Sequence, residues 1–368
     1  MSETTNSPSP TQTNELLEDC VTAVPGKYGN VPITACNSYY NFNPEFAPAV
    51  AMAVLFGLVT TTQIVQAIMH RKGYCWVIIM GGLWETISFA VHALGAHDQQ
   101  NIGYSTSHQL LFLLAPLWIN AFVYMTFARM VYFFLPEQRV LRIRASSLAK
   151  YFVIADVVSF IVQGIGGIMA SPTASDNIIK TGINLYMGGM GLQEFFILLF
   201  TYMMVRFQLR ATELEQIGGI TRTTSWRGLT YTLYGTLTAI TVRIIFRICE
   251  YARGVKPSNP LPFNEEYAYA LDAFPMLLAL LILCVLHPGR ILVGAESEFP
   301  RLSRKEKKAI KKEKKAQKVA AKEDKKARKQ RRKLGLDVDT PDKSGGNSDG
   351  WESEVPEQSY HMDTRYNP

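Results

Sequence analysis

Arg243, Arg247 and Glu250 stand four and three residues apart inside a stretch that is otherwise largely apolar. At 3.6 residues per turn all three fall on one face of a helix. Tyr269 and Asp272 open the next apolar stretch, and Glu265 lies just ahead of it. Charges of both signs at these spacings can pair, and a carboxylate among them can bind a cationic amine or carry a proton. Asp156, Ser159 and Gln163 make a second stripe at helical spacing. Glu85, Gln109, Tyr124, Arg129, Gln193 and His287 are the other polar groups in such surroundings. If these stretches cross a bilayer, their ionisable groups face the bundle interior and mark pathways or partners. The competing reading is that buried ion pairs and amides only fix helix register. The candidate substrate or transport residues are Glu85, Gln109, Tyr124, Asp156, Gln163, Gln193, Arg243, Arg247, Glu250, Glu265, Tyr269 and Asp272. An outer cluster should join Arg243, Arg247, Glu250, Glu265, Tyr269 and Asp272, and Arg129 could pair with Asp156 toward the other side.

Seven apolar runs must position these groups, at about 46–69, 74–94, 108–133, 150–170, 181–205, 229–250 and 267–287. Each is near the ~20 residues that a spanning helix needs. In hydrocarbon the backbone must satisfy itself, so the expected fold is all-α, a polytopic seven-helix bundle. The alternate connections differ in cations. Arg71, Lys72, Arg139, Arg142, Arg144, Lys150, Arg206, Arg210, Arg222 and Arg227 fall on one side, against Lys27, Lys180, Arg253 and Lys256 on the other. The positive-inside rule then puts the N-terminus outside and the C-terminus in the cytoplasm. The expected organisation is an extracytoplasmic tail over 1–45, a membrane domain over 46–289, and a cytoplasmic tail over 290–368 that is basic, then disordered.

The net charge of +7 hides that last segment. Residues 301–333 hold 18 Lys/Arg against 4 Asp/Glu, a surplus of 14, so the remainder is negative by 7. Without Gly or Pro, Ser303–Lys333 should be helical at least in part. Lys307, Lys308, Lys311, Lys312, Lys314 and Lys315 are the expected contacts to anionic lipid at the cytoplasmic surface. A nucleic-acid partner is a poor reading for a chain anchored in a bilayer. Cys20 and Cys36 would lie outside, where they could form a disulfide or remain free thiols. Small residues such as Gly164, Gly166, Gly167 and Gly189 permit close helix approach, and Pro116 and Pro275 should kink the third and seventh helices. No phosphate loop and no nucleophile elbow is present, and no cofactor is expected. A zinc site on His92, His108 and His287 would have to bridge a core of ~30 Å.

Several of these residues occur in a characteristic order. They run Tyr40-Asn-Phe-Asn-Pro44, then Gln109, Ala115-Pro116, Tyr124 and Arg129, then Asp156, Ser159, Gln163 and Gly166-Gly167. Gly182, Gly189 and Gln193 follow, then Arg243, Arg247, Glu250 and Tyr251, then Glu265, Tyr269, Asp272 and His287-Pro-Gly289. Over about 39–289 this resembles the fungal RTA-like proteins, the lipid-translocating exporters. Two departures stand out: Ser88, Phe89 and His92 replace the family's usual Gly, Tyr and Arg, and Asn120 replaces a small residue. The resemblance implies a multi-pass protein of the plasma or another cell membrane. It implies export of sphingoid-base-like lipids or toxic hydrophobic compounds, with membrane lipids and an amphipathic small molecule as partners and no enzymatic activity. A seven-helix sensor of lipid or stress signals fits the same topology, and an intramembrane lipid enzyme is a third reading.

The orientation has a direct check. An epitope at about residue 10 should be reached by antibody on intact protoplasts and one at about residue 360 should not, since Lys/Arg bias sets orientation. The reverse pattern overturns the assignment.

Overall fold

The computed structural model describes residues 22–33, 35, 37–170, 175–218, 226–252, 259–294 and 299, with 312, 316, 319, 320, 323 and 326 of the tail. Among the described residues, seven helices are long and apolar enough to cross a membrane. They are α1 (Phe46–Met69), α2 (Trp76–His97), α3 (Ile102–Phe134), α4 (Ala145–Met169), α5 (Asp176–Gln216), α6 (Trp226–Ala252) and α7. Helix α7 has three parts: an α turn Glu265–Ala268, a π turn Tyr269–Ala273, and Phe274–Val285. Several helices overrun the apolar runs, because only their middles need hydrocarbon-compatible side chains. Helix α5, at 41 residues, is the extreme case. A two-residue antiparallel hairpin, β1 (Arg139–Val140) with β2 (Ile143–Arg144), joins α3 to α4.

Successive helices pack as neighbours and α7 returns to α1, so the bundle closes as a ring. Helix α3 also touches α5 and α6, and its apolar window is the most buried at 56%, against 22% for α1. It is therefore the central helix. Helix α1 is tied to α7 by side-chain amides: Gln63 Nε2 donates to the Leu280 carbonyl at 3.1 Å and Gln66 Nε2 to that of Cys284 at 2.9 Å.

The described residues of 22–45 pack over one end of the bundle. The Gln99 amide donates to the Tyr28 carbonyl (2.9 Å), Gln100 Nε2 to the Gly29 carbonyl (2.8 Å), and Gln99 Nε2 to Asn43 (3.0 Å). Rings of Tyr28 and Phe46 contact His97 at 4.5 and 4.4 Å. We call this the lid end. Cys20 and Cys36 lie outside the described residues, as do Lys307, Lys308, Lys311, Lys314 and Lys315. Lys312 is helical and exposed, within a second unit formed by residues 300–368.

Helices α4 and α5 meet through glycine. A Cβ on Gly166 would lie 2.7 Å from the Gly182 carbonyl and 2.8 Å from Tyr186 Cα, both backbone atoms, while Gly164 and Gly167 face open space. Backbone cannot give way as a side-chain tip can. Gly166→Ala should therefore destabilise the detergent-solubilised protein by about 1–3 kcal/mol, as overpacked cores do. Gly164→Ala and Gly167→Ala should not. Melting curves of the three variants check this, and equal melting temperatures refute it.

Candidate functional site

Toward the lid end α6 and α7 carry opposite charges across the interior. Arg243 Nε lies 2.5 Å from Asp272 Oδ1, and Arg247 Nη2 contacts Asp272 Oδ2. Both contacts are ion pairs. Arg247 also reaches Glu250 Oε2 at 3.0 Å, one turn along its own helix. The four groups balance, two cations against two carboxylates. Asp272 is fully buried, as an intramembrane carboxylate held by two guanidinium groups must be.

Two prolines help to build this network. Pro116 has no N–H, so it cannot occupy the carbonyl four residues back, which is that of Phe112. That carbonyl accepts from Arg243 Nη2 at 3.3 Å. The Phe112 ring lies under both guanidinium groups, at 5.2 Å from Arg243 and 5.5 Å from Arg247. Helix α3 stays helical through Pro116. In α7 the π turn precedes Pro275 and carries Asp272. A π turn adds one residue to the helical ladder and re-aims the side chains around it.

Nearer the lid, Glu265 accepts from the Tyr269 hydroxyl (2.9 Å) and pairs with His92 Nε2 (2.7 Å), while its second oxygen accepts from the Glu45 amide (2.9 Å). The His92 ring stacks on His108 at 4.1 Å. Ser88 Oγ lies 2.9 Å from His108 Nδ1. Tyr40 and Phe42 from the lid segment stand 6.2 Å from His92. Burial pushes the Tyr40 phenol above its ordinary range, so it presents a neutral hydroxyl.

Glu85 lies one turn deeper than Ser88 on α2. It is fully buried, and neither carboxylate oxygen has a hydrogen-bond partner among the described residues. The charges acting on it are those of Arg243, Asp272 and Arg247.

The second stripe is a separate group between α3, α4 and α5. Asp156 Oδ2 accepts from Asn120 (3.0 Å) and from the Tyr124 hydroxyl (2.9 Å). Gln163 Nε2 donates to Gln193 Oε1 at 2.9 Å. Arg129 does not pair with Asp156. It lies over the Tyr74 ring at 3.7 Å and donates to the Met125 carbonyl, because it is more than a turn beyond Tyr124 toward the other end. Gln109 is exposed: the inner face of α3 there is taken by His108 and Phe112, and Gln109 is about 100° round from His108. Of the three histidines of the zinc reading, His92 and His108 stack together near the lid, and His287 is far from both. His287 stacks on His70 at 5.1 Å, with Cys75 Sγ 3.5 Å from its ring, at the end opposite the lid. Among the described residues no group of three or more His, Cys, Asp or Glu could hold a metal.

Gln63, Gln66 and Glu194 are not singled out from the sequence, and His108 is raised there only as a zinc ligand. Glu194 of α5 accepts from Thr241 of α6 at 3.0 Å. Its intramembrane carboxylate was visible in the sequence beside Gln193. The Phe112 carbonyl could have been found by counting four residues back from Pro116.

Residues 78–295 match the RTA1-like protein family. The chain is 45% identical over 314 residues to a probable lipid transporter of Emericella nidulans, covering 83% of this chain and 81% of that one. It is 29% identical over 209 residues to a protoporphyrin uptake protein of Saccharomyces cerevisiae, covering 56% and 65%. It is 21% identical over 297 residues to a sphingoid long-chain base transporter of the same yeast, covering 72% and 77%. No solved structure matches the chain.

The ion-pair network makes asymmetric demands. Asp272→Asn leaves two buried guanidinium groups facing each other and should cost roughly 3–5 kcal/mol. Arg247→Gln should cost less, since Arg243 still answers Asp272. Adding Arg247→Gln to Asp272→Asn should recover part of the loss. The monodisperse fraction after solubilisation measures all three; a double variant worse than Asp272→Asn alone contradicts the pairing.

Proposed function

This chain belongs to the RTA1-like protein family, and from that premise we propose that it translocates amphipathic lipids across the membrane. The reading draws on the family and on relatives named as lipid transporters. The observation that carries it is the charge network of Arg243, Arg247, Asp272 and Glu250 enclosed by seven spanning helices. A network of that kind gives a lipid head group polar partners midway through an apolar path. Phe56, Phe89 and Phe112 pack together beside the network, an apolar surface that would suit an acyl chain. The twelve polar residues singled out in the sequence divide in this proposal. Arg243, Arg247, Glu250, Glu265, Tyr269, Asp272 and Glu85 serve the head group. Asp156, Tyr124, Gln163 and Gln193 hold α3, α4 and α5 together, and Gln109 takes no part.

The substrate class is a long-chain base or a similar amphiphile, and the protein acts as a translocator rather than an enzyme. We assign the lid end to the outside and the tail to the cytoplasm of the plasma membrane or another cell membrane. There the basic segment, including Lys312, meets anionic lipid. A Cys20–Cys36 bridge would then stand on the oxidising side.

Reconstitution tests the proposal. Liposomes holding the purified chain should move a fluorescent sphingoid base between leaflets faster than empty liposomes. Asp272→Asn protein that remains monodisperse should not. Saturable binding without protein-dependent movement rejects translocation.

A further inference from the structure

The four-charge network is neutral without Glu85, which leaves that carboxylate uncommitted. Asp272 is held by two arginines, Glu250 by Arg247, and Glu265 by His92, Tyr269 and the Glu45 amide. Asp156 has two donors on one oxygen, and Glu194 has one. Among the described intramembrane carboxylates only Glu85 has neither a hydrogen bond nor an ion pair on either oxygen, and it is fully buried. A bare carboxylate in that setting is costly as an anion. Something must neutralise it: a proton, or a cation brought from outside.

A polar line leads from Glu85 toward the lid. Glu85, Ser88 and His92 occupy one face of α2 at i, i+3 and i+7, and all three are buried. Ser88 contacts His108 (2.9 Å), His108 stacks on His92 (4.1 Å), and His92 contacts Glu265 (2.7 Å). The ionisable groups facing this region are Arg243 and Arg247 from α6, Asp272 and Glu265 from α7, and His108 from α3. Helix α1 brings none.

Resting on the translocation reading, we propose that Glu85 is an exchange site, occupied in turn by a proton and by the ammonium head of a long-chain amine. When the amine binds, the Glu85 O–H bond breaks and the carboxylate pairs with the cation. One proton leaves for each cation taken up, along Ser88, His108, His92 and Glu265. No redox partner or nucleotide is needed. Asp272 does not itself take the amine, because its charge is already answered twice; it serves the head group by holding Arg243 and Arg247 in place.

The test uses the full chain in liposomes and a fluorescent long-chain trimethylammonium lipid. Its head is permanently charged, so it cannot cross as a neutral amine and a pH gradient alone cannot trap it. Transfer is read by protection from an external quencher, and protons by a dye in the lumen. Expected is protein-dependent transfer into the inner leaflet, accelerated by an acidic lumen and matched by lumen alkalinisation. Glu85→Gln, a near-isosteric change, should abolish both acceleration and alkalinisation. Glu85→Asp should retain part of each, which a merely structural role would not require. His92→Gln should shift the pH profile of transfer. Transfer of the cation without proton movement, or a Glu85→Gln protein that keeps its gradient dependence, overturns the exchange site. Transfer of an uncharged fluorescent lipid but not of the cation also overturns it, while leaving lipid translocation intact. Transfer of neither lipid fails both readings.

Discussion

Two guanidinium groups cannot sit inside hydrocarbon unless something answers them, and Asp272 answers both. Much of the surrounding structure follows from that one need. Asp272 must reach the level of Arg243 and Arg247, and a π turn aims it there. Arg243 needs an acceptor that is not already used, and Pro116 leaves the Phe112 carbonyl free. Arg247 has a second carboxylate, Glu250, on its own helix. The central helix α3 is thus joined to α6 by hydrogen bonding and α6 to α7 by charge. Helices in lipid gain nothing from hydrophobic exclusion of one another, so such links and close packing decide the assembly.

The bundle uses different means in its two halves. Between α4 and α5 the contact is backbone against backbone, with Gly166 and Gly182 removing the side chains that would separate them. Around α2, α6 and α7 it is charge, imidazole and carboxylate. A glycine contact is indifferent to protonation and ligands, whereas a charge network responds to both. The contact through glycine is suited to be a frame, and under the proposed function the charged region is the one that would meet a head group.

Much of this was legible in the sequence. The apolar runs marked the seven spans, since hydrocarbon thickness leaves little freedom in length. The i, i+4, i+7 spacing of Arg243, Arg247 and Glu250 put them on one face, and the structure adds that Asp272 bridges the two arginines. What the sequence could not provide was pairing across helices. Asp156 chose Asn120 and Tyr124 over Arg129 because of depth in the bundle, which spacing within one helix does not report. Gln109 pointed out because the neighbouring His108 and Phe112 took the inner face. The lid was hidden for another reason: its contacts, such as Gln99 to Tyr28, join segments far apart in the chain and of ordinary polar composition.

The division of the ion pairs between α6 and α7 also bears on how the chain is made. Synthesis runs from the N-terminus, so α6 enters the membrane machinery with Arg243 and Arg247 before Asp272 exists. Glu250 can answer one arginine within the helix, but the other has no carboxylate until α7 follows. Each arginine near the middle of a lone inserting helix is opposed by about 2.5–3.5 kcal/mol. Helix α6 is therefore a poor candidate to partition into lipid alone, and it should be held at the insertion site until α7 emerges to join it. On this argument the last two helices should enter lipid together, and a truncation that ends between them separates both arginines from Asp272.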